Sequence, residues 1–564
     1  MPLIRYLTPH LKIALCSLTL MFTASPAAAD DLIIDNVRGY THSQGSAKTT
    51  PTRFSSLFIR DGRVLTTDPD QIAKLANGKT QRINGRGRVL LPGLIDAHGH
   101  LAGLAQLLAS VDLRDASSAQ AAANKVAQFA AQSTNALWIG GRGWNQENWD
   151  GKQFPTAAHL DALNIDKPIV LERVDGHAVW VNSKALSIAG IDNTTVDPAG
   201  GQIVRDAKGR ATGVLIDNAI TYVTSKLPST SAAERERTLN LAFNHLLSLG
   251  VTGVHDAGIG QPMIDLLTLR AAQGGLPIRV YGMLDGSDKS LLNWLKTGPI
   301  ADANDTLSIR SVKLYADGAL GSRGAALLAD YADDPGNRGL HLTSQQALMD
   351  LFTAIDKHQF QICVHAIGDQ ANRQVLDNFE VLFKRGGNSA LRHRIEHAQV
   401  IEPTDLKRLS NLNLIASMQP THATSDMHMA EDRLGQSRLT GAYAWQTLLK
   451  GGTRMAFGSD FPVESANPFF GIHAAVTRQD HNNLPVKGWR ADQAVSVGEA
   501  LRIFTRDNAW AAHMENQVGT LEPGKWADFI LLEQDPYTLP AHQLWQITVD
   551  ETWVAGEQRW RAPK

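Results

Sequence analysis

The sequence predicts an α/β protein: a (β/α)8 TIM barrel with an inserted subdomain and a small β-sandwich built from both chain ends. Three observations predict it. Eight apolar runs each end in polar residues, helical periodicity separates most of them, and the 564-residue length exceeds one ordinary core. Repeated strand and helix alternation favours a parallel sheet, and eight units favour a closed barrel.

The chain divides into segments of different texture. Short apolar runs broken by Gly, Asp and Asn mark both ends, which we expect to form one antiparallel β unit. Ser496 and Glu499 stand at capping-box spacing, so a helix begins there. The predicted segments are a leader (1–29), the N-terminal part of the sandwich (30–90), the barrel (91–475) with its insertion (about 105–248), C-terminal helices (476–515) and the C-terminal part of the sandwich (516–564).

The eight barrel strands are predicted from apolar runs with polar C-terminal ends. Stretches such as SQQALMDLFTAIDKH between them have helical periodicity. The gap from residue 101 to 248 is much longer than one crossover, so we interpret it as a subdomain that shapes the pocket. The runs are VLLPGLIDAHGH, GVTGVHDAG, IRVYGML, IRSVKLYADG, QICVHAIGD, RHRIEHAQ, LIASMQPTH and RMAFGSDFP.

The first thirty residues are typical of a secretory signal. Arg5 and Lys12 precede an apolar run at 13–22, and three alanines at 27–29 precede Asp30. The run is shorter than the roughly 20 residues of a membrane span, which disfavours an anchor. We expect cleavage after Ala29, a periplasmic or secreted protein, and no stable membrane anchor afterwards.

Composition and charge exclude several classes of function. Hydrophobic residues make up 43% and charged residues 20%, as in soluble globular proteins. A net charge of -2 provides no broad positive field, so nucleic acid is not an expected partner. Cleavage would remove Cys16 and leave Cys363 alone, which excludes an intramolecular disulfide. A small-molecule substrate is expected, and assembly into a homo-oligomer stays possible.

Several polar residues collect where barrel enzymes build their sites. His98 and His100 stand two apart in a predicted strand, so their imidazoles point to the same side. With 19 histidines in the chain, this pair alone is weak evidence for metal binding. Each of the remaining candidates lies at or near the C-terminal end of a separate predicted strand; they are Lys313, His365, His397 and Asp460.

These motifs resemble the amidohydrolase superfamily, in particular its amidohydrolase 3 branch of N-substituted formamide deformylase-like proteins. The resemblance covers nearly the whole predicted mature chain, with the motifs in family order. The stretches that carry it are PGLIDAHGHL, DGHAVWVNSKAL, GVTGVHDAG, VKLYADGALGSRGA, VHAIGD, RHRIEHAQ, FGSDFPVE, NPFFGIHAAVTR and GTLEPGKWADF.

The resemblance implies a centre of one or two divalent metal ions, with zinc expected. His98 and His100 would bind one ion with Asp460, His365 and His397 a second, and Lys313 would bridge them. An ammonium group repels a cation, so Lys313 would have to be carboxylated to a carbamate. Alternatively, Lys313 stays an amine paired with a carboxylate such as Asp317, which leaves a one-metal enzyme.

The reaction implied is hydrolysis of a carbon–nitrogen bond in an amide, N-formyl or N-acyl compound. A metal lowers the pKa of water towards about 7 and polarises the carbonyl. Asp460 would be the general base that passes the proton to the departing nitrogen; otherwise it is a helix cap. The alternatives are hydrolysis of an ester, lactone or carbamate, or a non-catalytic secreted binding or regulatory protein.

Three residues are candidates for substrate binding: His177, Arg323 and His422. A structural hydrogen bond is the alternative for either histidine. Arg323 can grip a carboxylate or carbonyl through its fork of donors, or form a structural ion pair. Gly324 follows it where the branch often has a hydroxyl residue, which puts an inherited contact there in doubt. Trp144, Trp149 and Trp180 could line the pocket or fill a core.

Overall fold

The computed structural model describes residues 31–44, 50–133, 136–146, 149–173, 178–198, 201–228 and 231–563. The predicted leader at 1–29 and the candidate His177 lie outside the described residues. Within the described ranges, no helix is both long and apolar enough to cross a membrane.

A closed barrel of parallel strands forms the centre of the molecule. Each strand pairs with the next one in chain order, and a bridge between Gly99 and Phe461 closes the ring. All of the predicted apolar runs become barrel strands, so the predicted fold is confirmed. The strands are β1 (Leu94–Gly99), β2 (Val251–Ile259), β3 (Arg279–Asp285), β4 (Leu307–Tyr315), β5 (Gln361–Ala366), β6 (Arg394–His397), β7 (Ile415–Met418) and β8 (Arg454–Phe457).

Amphipathic helices cover the outside of the barrel. In the helix before β5, Leu348, Phe352 and Ile355 lie on one buried face, and the Ser344 side chain caps its N-terminus. The predicted Ser496 and Glu499 capping box is also present. Helices of the barrel and its C-terminal extension are Leu101–Leu108, Ala232–Ser248, Gln261–Ala272, Leu291–Thr297, Gln345–Lys357, Asp369–Lys384, Leu406–Asn411, Pro420–Asp426, Ala430–Leu434, Trp445–Lys450, Pro468–Thr477, Val497–Arg502 and Asn508–Ala511.

The two chain ends build one β-sandwich beside the barrel. Ile34 and Ile59 of the first sheet share a core with Leu90 and Phe529 of the second. The first sheet contains Leu32–Asp35, Leu57–Arg60, Arg63–Thr66 and Gln81–Asn84, and helix Pro69–Leu75 lies before its last strand. The second sheet contains Arg38–Thr41, Thr52–Phe54, Val89–Pro92, Phe529–Leu532, Glu551–Val554 and Glu557–Arg561.

The long segment between β1 and β2 folds as a separate mixed sheet. Trp144, Trp149 and Trp180 are buried in its core. Their indole N–H groups donate to backbone carbonyls at 2.8, 2.7 and 2.9 Å, so these residues have the structural role. The insert contains strands Val111–Asp112, Ile139–Trp144, Ile169–Arg173, Ala178–Val181, Gly201–Arg205 and Ala211–Asp217, and helices Ala119–Gln132, Ala157–Asp161, Ser183–Ala189 and Thr221–Thr224.

A buried ion pair joins the barrel to the sandwich. Arg279, the first residue of β3, donates from Nε and Nη2 to the two carboxylate oxygens of Asp528 at 2.6 and 2.9 Å. Both side chains are more than nine-tenths buried. A two-pronged, desolvated contact of this kind fixes the angle between the two units as well as their separation.

Replacement of Asp528 should therefore destabilise the protein strongly. Asp528→Ala leaves the buried Arg279 guanidinium without its carboxylate, which typically costs about 3–5 kcal/mol. Urea unfolding followed by circular dichroism measures this change. Glu557→Ala removes the exposed Arg559 pair at 2.8 Å and should cost less than about 1 kcal/mol. Equal losses of unfolding free energy in the two variants would contradict a strong contribution from the buried pair of Arg279 and Asp528.

Candidate metal centre

His98 of β1 and His100, which directly follows that strand, meet an aspartate that follows β8. His100 Nε2 lies 3.0 Å from Asp460 Oδ1, and His98 Nε2 lies 3.6 Å from the same oxygen. One donor atom from each of the three residues falls within 4.8 Å of the others. The structure thus brings together the three residues that were predicted to hold the first ion.

Backbone and side-chain bonds across the junction of β1 and β8 hold this group. The N–H of Asp460 donates to the carbonyl of His98 at 2.7 Å. The buried Asp96 carboxylate accepts the N–H of His98 at 3.0 Å, and the N–H and hydroxyl of Ser459 at 3.1 and 2.7 Å. Burial raises the pKa of Asp96 to about 7, although the bonds from Ser459 favour the charged form. Asp96 therefore positions residues on both sides of the junction.

A second group of donors surrounds the other oxygen of Asp460. His422 Nε2 lies 3.6 Å from Asp460 Oδ2, and the His422 ring is nearly parallel to that of His397, with centroids 5.8 Å apart. Donor atoms of these three residues also fall within 4.8 Å of one another. His422, a substrate-binding candidate in the sequence, thus lies among the potential metal ligands.

His365 lies beside this second group, but its Nε2 atom is directed to residues that follow β4. Its ring centroid is 4.5 Å from that of His397. Its Nε2, however, is 3.4 Å from the Gly318 carbonyl and 3.6 Å from Asp317. Among the described residues, His365 belongs to neither three-donor group.

Lys313 occupies the barrel interior below the histidines. Its Nζ is 3.1 Å from His98 Nε2, and burial lowers the pKa of its amine. Asp317, the alternative partner suggested by the sequence, instead accepts the backbone N–H groups of Ala326, Ile367 and Gly368 at 2.8–2.9 Å. The amine and Asp317 therefore form no ion pair, although both are buried.

The protonation states fit cation binding. Burial and the nearby Lys313 lower the pKa of His98 to about 4 and that of His365 to about 3, and burial holds the pKa of His397 well below its ordinary value. Burial opposes ionisation of Asp460, but the His100 hydrogen bond holds its pKa well below the usual range. Neutral imidazoles and a carboxylate are the donors that divalent zinc-like ions bind.

Buried side chains behind the centre orient its imidazoles, and the sequence interpretation missed them. Glu396 Oε2 accepts the Nδ1–H of His98 at 2.6 Å, which leaves Nε2 without a hydrogen, as the nitrogen that faces Lys313 and Asp460. Arg394 Nη2 donates to Glu396 at 3.1 Å. Arg394 and Glu396 stand two apart in a predicted buried strand, so charged residues facing the barrel interior were a signal available in the sequence.

Two of the candidate ligand residues have left-handed backbone conformations. The φ angle is +71° at His397 and +62° at Asp460, a region that few residues with a Cβ adopt. Gln419 holds the ring of His397 through a 2.8 Å bond to Nδ1. The surrounding structure therefore fixes both side chains in directions that regular strand geometry would not give.

Arg323 forms an ion pair on the loop after β4. Its Nη2 lies 2.9 Å from Asp333 Oδ2, and Arg433 of the helix Ala430–Leu434, which lies after β7, binds the same carboxylate. Of the two interpretations of Arg323, the structure thus displays the ion pair, which joins the loop after β4 to this helix. The side chain is about one-third exposed.

One family model and several known proteins match most of this chain. The model of the amidohydrolase family, Amidohydro_3, matches residues 81–559. Protein LONG AFTER FAR-RED 3 of Arabidopsis thaliana is 34% identical over 524 residues, which cover 89% of this chain and 88% of the relative. The N-substituted formamide deformylase of Arthrobacter pascens is 25% identical over 522 residues, which cover 90% of this chain and 94% of the relative.

Solved structures extend the comparison to three dimensions. The crystal structure of an uncharacterized metal-dependent hydrolase from Pyrococcus furiosus superposes with a TM-score of 0.74 at 27% sequence identity. The match covers 90% of this chain and all of that chain. Barrel, insert and sandwich therefore belong to an architecture that this neighbour shares.

The Glu396 contact should determine how tightly the centre binds a cation. Glu396→Gln keeps the side-chain size but replaces the carboxylate that orients His98, and loss of such a partner typically lowers metal affinity about 10–100-fold. Competition against a chromogenic chelator measures the affinity. Glu402→Gln on the following loop is the matched control. A folded Glu396→Gln protein with the parent's affinity would show that Glu396 does not act through His98.

Proposed function

Because this chain belongs to the amidohydrolase family, we propose that it hydrolyses a carbon–nitrogen bond of a small amide, N-formyl or N-acyl compound in a metal-dependent reaction. The observation that carries the proposal is the buried Asp460 carboxylate, which has imidazoles at both oxygens. The relative named N-substituted formamide deformylase supports the choice of bond.

The donor set fits a divalent cation, and zinc is the proposed ion. His98, His100 and Asp460 would hold one ion; a second would lie at His397, where the resemblance implies His365 as the other donor. The Nε2 of His422 is buried and has no hydrogen-bond partner among the described residues, as expected of a group that a cation would satisfy. A bound divalent ion supplies an acidified water and a polarised substrate carbonyl.

Asp460 is the proposed general base. Its low pKa keeps it a carboxylate at neutral pH, and the bond from its N–H to the carbonyl of His98 fixes its position. It accepts a proton from the attacking water and passes it to the nitrogen of the breaking bond, so a carboxylic acid and an amine leave. A positioned base of this kind typically contributes about 100- to 10,000-fold in rate.

Lys313 is the proposed bridge between two ions, in carboxylated form. Burial lowers the pKa of its amine and so enriches the neutral form, which is the form that adds to carbon dioxide. Addition replaces a cation-repelling ammonium by an anion with two donor oxygens. An unmodified amine in a structure of the metal-loaded protein would contradict this role.

Substrate contacts are proposed for Arg323 and His177. Arg323 lies on the loop after β4, beyond the C-terminal ends of the strands, where barrel enzymes bind their substrates. Asp333 engages two of its nitrogens, Nε and Nη2. The remaining nitrogen, Nη1, is the one through which it would reach a carbonyl or carboxylate.

Catalysis should depend on the cation and on Asp460. The zinc-loaded protein should hydrolyse members of a panel of N-formyl, N-acyl and cyclic amides, and chelation should abolish the activity. Asp460→Asn should lower kcat by about 100- to 10,000-fold because the basic carboxylate is lost, whereas Asp265→Asn on an outer helix should not. Turnover by Asp460→Asn within about threefold of the parent would contradict the role of Asp460 as general base.

The same substrate panel tests the type of bond. Activity on esters or lactones alone would contradict hydrolysis of a carbon–nitrogen bond, and metal binding without turnover of any substrate would favour a binding protein.

Export is a further part of the proposal and depends on the leader pattern at residues 1–29. Expressed from its full sequence in a bacterial host with a periplasm, the protein should be recovered there with Asp30 at its N-terminus. Fractionation followed by N-terminal sequencing measures this. Arg5→Glu together with Lys12→Glu should retain the protein in the cytoplasm, because signal sequences need a positive N-terminal region. A parent protein that keeps Met1 would contradict export by cleavage.

A further inference from the structure

Tyr315 is the last residue of β4 and lies beside the residues of the metal centre. Lys313 and Tyr315 stand two apart in this strand, so both side chains point to the barrel interior. Tyr315 pairs in register with His365 of β5, and the two ring centroids are 5.8 Å apart. Lys313 Nζ lies over the Tyr315 ring, 5.0 Å from its centroid. The ring therefore borders the space in which a substrate would meet the centre.

The hydroxyl of Tyr315 extends across the barrel mouth as far as β2. An added Cβ at Gly258 of β2 would lie 3.3 Å from Tyr315 Oη. Because β3 lies between β2 and β4, the ring must pass over the end of β3. Burial, Asp285 at the end of β3 and Asp460 after β8 raise the pKa of Tyr315 to about 12, which places both carboxylates near the hydroxyl. The hydroxyl thus faces the same space as the proposed base.

Among the described residues, this hydroxyl has no hydrogen-bond partner. The backbone carbonyl of Tyr315 accepts the Thr343 hydroxyl at 2.7 Å, but the phenol hydroxyl forms no bond there. The neighbouring Asp285 is engaged elsewhere, since its Oδ1 accepts the N–H and the hydroxyl of Ser287 at 2.9 and 2.7 Å. Tyr315 is partly exposed, so a ligand in the mouth can reach its hydroxyl, and a phenol can donate a hydrogen bond to it.

The carbonyl oxygen of a substrate is the acceptor that would gain most from this donor. When water adds to an amide carbonyl, the carbon–oxygen double bond becomes a single bond and its oxygen acquires negative charge. A preorganised donor at that oxygen stabilises the transition state more than the ground state. The reacting carbonyl has to lie within reach of both Lys313 and Asp460, and Tyr315 lies close to both.

We propose that Tyr315 is a further catalytic residue, whose hydroxyl donates a hydrogen bond to the carbonyl oxygen of the bond that breaks. The inference rests on the proposed function and leaves its groups in place, with Asp460 as the general base and Lys313 as the bridge. Tyr315 keeps its hydrogen throughout and transfers no proton. Its contribution is to stabilise the charge on the oxygen until the carbon–nitrogen bond breaks and the amine leaves.

Removal of the hydroxyl alone tests this role. The parent, Tyr315→Phe and the control Tyr222→Phe, on a helix of the insert, are loaded with zinc, analysed for bound metal and assayed on the amide that the parent hydrolyses fastest. Tyr315→Phe should bind as much metal as the parent and keep KM within about threefold. Its kcat should fall by about 100- to 1,000-fold, as is typical when one donor to a developing oxyanion is lost. Tyr222→Phe should match the parent.

The outcomes separate the inference from the function on which it rests. A kcat of metal-loaded Tyr315→Phe within about threefold of the parent would overturn the inference and leave the proposed function intact. Loss of bound metal in parallel with kcat would also overturn it, because Tyr315 would then act through the metal centre. A parent that hydrolyses no amide would overturn the proposed function and the inference with it.

A transition-state analogue gives a readout that a structural role of the ring would not produce. A phosphonate analogue of the same amide presents charged oxygens on a tetrahedral centre. Its inhibition constant should rise in Tyr315→Phe by about the factor by which kcat/KM falls, because both report the same contact with the oxygen. The inhibition constant of the carboxylic acid product should change by less than about threefold. Equal affinity of the parent and Tyr315→Phe for the phosphonate would overturn the inference.

Discussion

The seam between the first and the last barrel strand is the constraint on which the site depends. Only one backbone bridge, Gly99 to Phe461, pairs the two strands there, so side chains complete the closure. Asp96 binds Ser459 across the seam, and Asn508 donates to the carbonyls of both Ile95 and Phe457 at 2.6 and 2.7 Å. Because the first donor group straddles this seam, barrel closure and assembly of the site are one event.

Beneath the seam, the barrel interior contains charge where aliphatic packing would be more stable. Arg394, Glu396 and Lys313 are all fully or almost fully buried, and buried charges of this kind often stabilise less than well-packed apolar residues. Their arrangement fixes which nitrogen of His98 carries its hydrogen. The left-handed backbone conformations of His397 and Asp460 are also unfavourable by themselves, and the surrounding structure maintains this strain.

Local pattern was sufficient to predict the barrel strands and the strand-end positions of His98, His100 and Asp460. The sequence could not predict contacts that depend on register between distant strands. The partner of Asp96 is not defined until β8 is placed beside β1, and the position of His422 depends on a short helix whose direction is set by packing. Arg323 is a similar case, since its partner on the same loop is not marked by spacing.

The insert has an interior of its own. Its buried residues form clusters that contain no barrel side chain, and its indoles are satisfied by carbonyls within the same unit. A change of residue there leaves the barrel core unaltered, since effects on stability add independently for sites that share no contacts. The interior of the insert can thus vary in sequence at little cost to the packing of the barrel.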